Sequence, residues 1–162
     1  MVLLLDVDDD GALGVILNRP SPVAVAEVLD PWAEACDQPE VLFQGGPVSA
    51  DGALAVARVA DDAPSLEGFR PIGAGAIGLL DLERSPADFG PALVGLRIFA
   101  GYAGWGAQQL ADEIEEGAWH VVPGSIDDAF CEDTTTLRRD VLKRQPGELA
   151  WLATRPADPS AN

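Results

Sequence analysis

The chain has 162 residues, a usual length for one domain, and 48% of them are hydrophobic. Ten Lys and Arg residues stand against 27 Asp and Glu residues, which gives a formal net charge of −17. Proteins hold nucleic acid largely by neutralising phosphates with Lys and Arg, so this charge argues against direct DNA or RNA binding. The apolar runs are far shorter than the ~20 residues of a membrane helix, so we expect no membrane partner.

The first half of the chain predicts mainly strands. In chain order we expect a strand over 2–7, an acidic turn, a strand over 12–17, a helix over 23–29, and strands over 41–44 and 53–59. The Ser21-Pro22 pair supports the helix, because it combines an N-cap with proline at the first helical position. A polar stretch over 61–70 reads as a surface loop.

The second half alternates between the two element types. We expect a strand over 77–82, a helix over 85–94 opened by a second Ser-Pro pair, and a strand over 96–100. A glycine loop, a helix over 107–116, a strand over 119–122, a helix over 134–143 and a last strand over 148–154 follow. Without a regular βαβ alternation, and with a hairpin at its start, the chain is predicted to be a mixed α+β domain.

Simple chemical sites are poorly supported. Cys36 and Cys131 are too few for a disulfide framework and too far apart for a Cys-x-x-Cys site, and His120 is the one histidine. The acidic turn at 6–11 resembles a calcium loop, but the position of its bidentate Glu is Leu17. The glycines at 73–78 match a dinucleotide fingerprint without the preceding strand. We therefore predict no catalytic residue, metal or cofactor, and reduced thiols in the cytoplasm.

Two glycine-bearing segments remain as candidate ligand sites. Segment 44–47 follows a strand and permits a close approach, and segment 101–109 joins a strand to a helix whose free N–H groups could hold a polar ligand. The alternative is that these glycines only let strand and helix pack closely while the aromatic residues fill the core. The candidate ligand-binding residues are Asn18, Arg19, Gln44, Gly45, Gly46, Tyr102, Trp105 and Gln109.

Positive charge is scarce enough to be informative. Apart from Arg19, the densest basic cluster is the predicted helix that carries Arg138, Arg139, Lys143 and Arg144. Asp140 lies four residues before Arg144, which favours a solvated helix face over a phosphate-binding surface.

Three motifs in order and register resemble the AlgH/YqgE family. They are GALGVILNRP at 11–20, FQGGPV at 43–48, and AGYAGW at 100–105 with its continuation to Trp119. The match runs from about Val2 to the end, so it describes one domain over 1–162. The resemblance implies a mixed, bifurcated β-sheet with a small barrel-like portion surrounded by helices, in a cytosolic bacterial protein. It implies no catalytic residues, and the family's label of transcriptional regulator rests on no DNA-binding motif.

The chain departs from the family at its start. Family members usually begin earlier, with a further strand, whereas this chain starts at the next one. A missing strand would leave a sheet edge bare, so we expect a homo-oligomeric contact along that edge.

Two kinds of function follow from these observations. The first is an indirect regulator that acts through a protein partner or a small ligand. The second is an enzyme or small-ligand binder that uses segments 44–47 and 101–109, which requires that these segments line one concave pocket.

Overall fold

The computed structural model describes residues 1–60, 66–73 and 75–153. Half of the predicted loop over 61–70, residues 61–65, and one residue of the glycine run at 73–78 lie outside these ranges. The loop prediction is wrong at residues 69–70, which belong to a strand. The strands are β1 Val2–Asp8, β2 Gly11–Ile16, β3 Pro20–Ala24, β4 Val41–Gln44, β5 Val48–Val59, β6 Phe69–Pro71, β7 Ile77–Leu80 and β8 Leu93–Gly106. The helices are α1 Val25–Val28, α2 Gln109–Glu115, α3 Ile126–Ala129, α4 Leu137–Lys143 and α5 Glu148–Leu152.

The strands form one mixed sheet. Its main path runs β1-β2-β8-β5-β7-β6 with antiparallel neighbours, and a branch of β3 and β4 joins it where β4 runs parallel to β8. The β1–β2 hairpin confirms the predicted turn, in which the Asp8 carboxylate accepts hydrogen bonds from the amides of Asp10 and Gly11 at 2.9 and 3.1 Å.

The sheet divides at Gly101, within β8. Before this residue, β8 pairs with β4, with Phe43 opposite Phe99, and after it β8 pairs with β2, with Gly14 opposite Ala103. Gly101 has a φ of +67°, which a residue with a Cβ atom rarely adopts. The bifurcated, curled sheet is therefore confirmed, whereas the loop expected over 101–106 is wrong, because these residues continue the strand.

Residues of β5 and β8 alternate between two cores, one on each face of the sheet. Val56 and Phe99 belong to a cluster with β1, β2 and α4, and Ala57, Leu96 and Ile98 belong to a cluster with Trp32 and Phe89. Successive side chains of a strand point to opposite faces of the sheet. Because both faces are buried here, the sequences of the two central strands are nearly continuous apolar runs.

The two Ser-Pro pairs do not open helices as predicted. Residues 20–24 form β3, in which Ser21 Oγ accepts a hydrogen bond from the Val23 amide, and the short helix predicted over 23–29 is confirmed only as the single turn α1. After Ser85, whose side chain does cap a turn, Pro86–Asp88 and Gly90–Ala92 form two 3₁₀ turns. Gly90, at a φ of +48°, separates them and prevents a continuous helix.

Two predicted strands near the C-terminus are also wrong. Residues 119–122 form no regular element, and residues 148–152 form α5, which packs against α4. The helices expected over 107–116 and 134–143 are confirmed as the shorter α2 and α4. In the described ranges, no helix combines the length and the apolar character that crossing a membrane would require.

Arg97 of β8 is only 2% exposed, and it joins three parts of the chain. Its guanidinium donates to the carbonyl oxygens of Ala129 and Cys131 at 3.1 and 3.0 Å and to that of Gln38 at 2.9 Å. It also lies 4.3 Å from the centre of the Phe43 ring. The residues that follow α3 are thereby fixed against the centre of the sheet.

Replacing Arg97 with Met should destabilise the protein strongly, because one buried and two partly buried carbonyl groups would lose their donor. We expect the free energy of unfolding in urea to fall by about 3 kcal/mol. Arg70→Met removes an exposed ion pair with Asp6 and should cost less than about 1 kcal/mol. Equal losses in the two variants would contradict the role given to Arg97.

Candidate functional site

An apolar groove of about 480 Å³ lies between β1, α2, the segment 118–125 and α4. Its size is typical of small-molecule sites, which are mostly apolar with a few polar groups. The walls are formed mainly by Val2, Leu4, Leu110, Ile114, Val122 and Val141. Four separate stretches of the chain thus supply one concave surface.

One wall of the groove is formed by two tryptophans held by α2. The indole N–H groups of Trp105 and Trp119 both donate to Oε2 of Glu113, at 3.0 and 2.7 Å. The two rings meet edge to face with their centres 5.8 Å apart. Since Trp105 ends β8 and Trp119 starts the segment 118–125, Glu113 fixes both to the same helix.

Gln109 completes this cluster. Its Nε2 donates to Oε1 of Glu113 at 2.8 Å, and its Oε1 accepts from the Gly106 amide at 3.0 Å. The hydrogen bonds from Trp119, Gln109 and Trp105 lower the pKa of Glu113, because they stabilise its charged form. The carboxylate therefore acts as a charged anchor for the tryptophan wall.

Basic side chains lie near the end of the groove where residue 1 stands. Asn18 Oδ1 accepts a hydrogen bond from the Met1 amine at 2.9 Å, and Met1 and Arg138 both line the groove. Burial lowers the pKa of this amine, and the charges of Arg19 and Arg138 lower it further. Two arginines from distant parts of the chain therefore lie near the same end of β1.

The carboxylate that lines the groove already has partners. Asp128 is 8% exposed, accepts a hydrogen bond from the Ser125 amide at 2.7 Å, and pairs with Arg144 of α4. It therefore stabilises the fold of the groove wall. His120 also lines the groove, on its exposed rim.

The predicted site residues of the first two motifs meet at the branch point of the sheet. The Gln44 amide donates to the Arg19 carbonyl at 2.8 Å, and the Gly45 amide donates to that of Ala100 at 2.9 Å. A Cβ atom on Gly45 would lie 2.2 Å from the Gly101 oxygen, and one on Gly46 would lie 2.1 Å from the Tyr102 carbonyl carbon. Close backbone packing accounts for both glycines.

The eight candidate residues do not all face one pocket. Trp105 lines the groove, Asn18 accepts a hydrogen bond from Met1, which lines it, and Gln109 bonds to Glu113, which holds Trp105. Tyr102 packs against the core cluster on the face of Phe99. Segments 44–47 and 101–102 converge as paired backbone, and whether they bind a ligand stays a prediction.

The sequence reasoning missed the segment 118–125 and the groove face of α4. The sequence predicts a strand over 119–122, but these residues form no regular element, and Val121 is 67% exposed and Trp119 37% exposed. An apolar stretch that lacks regular structure and stays accessible is a feature of binding surfaces. Its adjacent Trp, Val and Val residues were the available signal.

Comparison with known proteins assigns the chain to a family. A family model described as AlgH-like (DUF179) matches residues 1–150. The chain is 54% identical over 168 aligned positions to a UPF0301 protein of Streptomyces coelicolor, covering 100% of this chain and 85% of the relative. It is 42% identical to a UPF0301 protein of Mycolicibacterium smegmatis, covering 100% of this chain and 81% of that one. The chain belongs to the AlgH-like family.

Solved structures agree with the fold. A crystal structure of a Corynebacterium diphtheriae protein matches with a TM-score of 0.89 at 29% identity, over 95% of this chain and 81% of that one. The solution structure of the AlgH protein from Pseudomonas aeruginosa matches with a TM-score of 0.62 at 23% identity, over 97% of this chain and 84% of that one. The second likeness concerns the fold alone.

Replacing Gly46 with Ala should destabilise the branch point, because the new Cβ would overlap the backbone of Tyr102. We expect a loss of roughly 1–3 kcal/mol in the free energy of unfolding. Gly75→Ala is the matched control, since its Cβ would meet nothing closer than 3.9 Å. An unchanged stability of Gly46→Ala would refute the packing role.

Replacing Glu113 with Gln should remove a pH-dependent part of the stability. The pKa of Glu113 is lowered in the folded state, so its contribution is present above the ordinary pKa of 4.5 and is lost as the pH falls through the lowered value. The stability difference between wild type and variant should stay constant above pH 4.5 and shrink below it. Urea unfolding at several pH values measures this, and a pH-independent difference would contradict it.

Proposed function

We propose that this AlgH-like chain is a cytosolic, non-enzymatic binding protein that takes up a small, mainly apolar molecule in the groove and acts as a regulator through that bound state. The observation that carries the proposal is the 480 Å³ groove closed on one side by Trp105 and Trp119. Apolar walls supply binding free energy of about 25 cal/mol per Å² of ligand surface buried.

The chemistry of the groove supports binding more than catalysis. A general acid or base must lie within hydrogen-bonding reach of its substrate and be able to exchange a proton there. Asp128 is committed to the Ser125 amide and Arg144, and Glu113 is committed to the tryptophans and Gln109. Both carboxylates therefore shape the groove.

The distribution of charge supports an indirect mode of regulation. The described basic side chains are mostly paired with carboxylates, so they offer no contiguous phosphate-binding face within the described residues. An oligomeric contact along the outer edge of β1 stays a prediction. Among the described strands, β1 pairs with β2 alone.

A groove-filling substitution tests this function. Addition of 1-decanol, a neutral apolar probe, should raise the melting temperature of the wild type by about 3 °C at ten times its dissociation constant. Ala118→Trp places a large ring on the exposed lining of the groove and should abolish the rise. Trp105→Ala should weaken it.

Ala111→Trp is the matched control, because Ala111 is an exposed residue of α2 that does not line the groove. This variant should keep the full shift. An equal shift in the Ala118→Trp variant, or the absence of a shift in the wild type, would refute the proposed function.

A further inference from the structure

The ten basic residues of this acidic chain differ in the partners of their side chains. Arg155 lies outside the described residues, and Arg97 is buried against carbonyl groups. A second group forms ion pairs with Asp or Glu, namely Arg58, Arg70, Arg84, Arg139, Lys143 and Arg144. Among the described residues, this leaves Arg19 and Arg138 without a carboxylate partner.

Arg138 lines the groove, and Arg19 lies near the Met1 end of it. Arg138 is on α4, and Arg19 follows Asn18, whose side chain accepts a hydrogen bond from Met1, just before β1. Both side chains are exposed, and both charges act on the Met1 amine. In sequence they are far apart, so the fold brings them near the same end of the groove.

The surroundings make this placement unusual. Six of the other described basic residues form ion pairs with carboxylates, whereas these two do not. Two unpaired guanidiniums near the same end of a groove favour an anion there, since their like charges repel each other and attract it. Two guanidiniums supply this positive charge whether or not residue 1 carries a free amine. The arrangement suits a ligand that brings its own negative charge.

We infer that the groove binds a single-chain anionic amphiphile, such as a fatty carboxylate, with its acidic head at Arg19 and Arg138 and its apolar chain between α2 and α4. This inference rests on the proposed function, because it specifies the ligand of the same groove. Arginine matches a carboxylate through paired N–H donors, and the apolar walls accept the alkyl chain.

A free amphiphile fits better than a membrane surface. Membrane-binding proteins meet anionic lipid through clusters of Lys and Arg, whereas this chain carries −17 and would be repelled by such a surface. Two arginines near one end of an apolar groove can neutralise one head group while the rest of the protein stays away from the bilayer.

Three probes of equal chain length test the inference. Decanoate, 1-decanol and decyltrimethylammonium are titrated below their micelle concentrations, and binding is followed by tryptophan fluorescence, since Trp105 and Trp119 line the groove. We expect decanoate to bind about tenfold more tightly than 1-decanol, and the cation to bind most weakly. The preference for decanoate should shrink as salt is raised, because the arginines are exposed.

The double variant Arg19→Gln and Arg138→Gln should bring decanoate binding to the level of 1-decanol and leave 1-decanol binding unchanged. The double variant Arg70→Gln and Arg84→Gln has the same net charge and should behave as the wild type. Equal binding of decanoate and 1-decanol to the wild type would overturn the inference while the proposed function stands. Failure of both probes to bind would overturn both. Co-sedimentation with anionic phospholipid vesicles that depends on Arg19 and Arg138 would overturn the choice of a free amphiphile.

Discussion

The buried guanidinium of Arg97 is the interaction on which the rest of the structure depends. It sits on the central strand β8 and bonds to carbonyl groups before β4 and after α3. Burying a charge is costly unless it is hydrogen-bonded, so the three bonds of the terminal nitrogens favour one position of these segments relative to the sheet, although Nε has no partner among the described residues. Ala129, one of its acceptors, also lines the groove. The wall of the candidate site is therefore positioned from the centre of the core.

The division of the sheet at Gly101 explains why a groove exists at all. Because β8 exchanges β4 for β2 at this point, the β1–β2 hairpin turns away from the β3–β4 branch. Helix α2 packs against β8 and β2, Val141 of α4 shares a core cluster with Leu5 of β1, and Glu113 holds the segment 118–125 to α2 through Trp119. The apolar groove lies between these elements. Hydrogen bonds of Glu113 hold one wall, and those of Arg97 hold the wall at Ala129.

Much of the sheet was predictable, because the alternation and apolar runs of residues 2–17, 41–44, 53–59 and 96–100 reflect local backbone geometry. The glycines at 45, 46 and 101 were recognised as special positions, but their cause is a backbone contact between distant strands, which no local pattern reveals. The two Ser-Pro pairs did not open α-helices. A serine hydroxyl accepts the same backbone hydrogen bond in an extended segment, as at Ser21, and in a 3₁₀ turn, as at Ser85. The groove itself was not predictable, since its segment 118–125 has no regular structure and its two arginines are far apart in sequence.

The central claim is that the groove beside Trp105 and Trp119 receives the apolar part of a ligand while the acidic surface plays no part. Nitrogen-15 NMR during a decanoate titration tests it most directly, because the indole N–H groups of these two tryptophans give separate signals. The account predicts saturable shifts for both indoles and for amides of residues 118–125, with the buried Trp32 indole unchanged. Shifts confined to other surfaces, or no saturable shift at these groups, would contradict it.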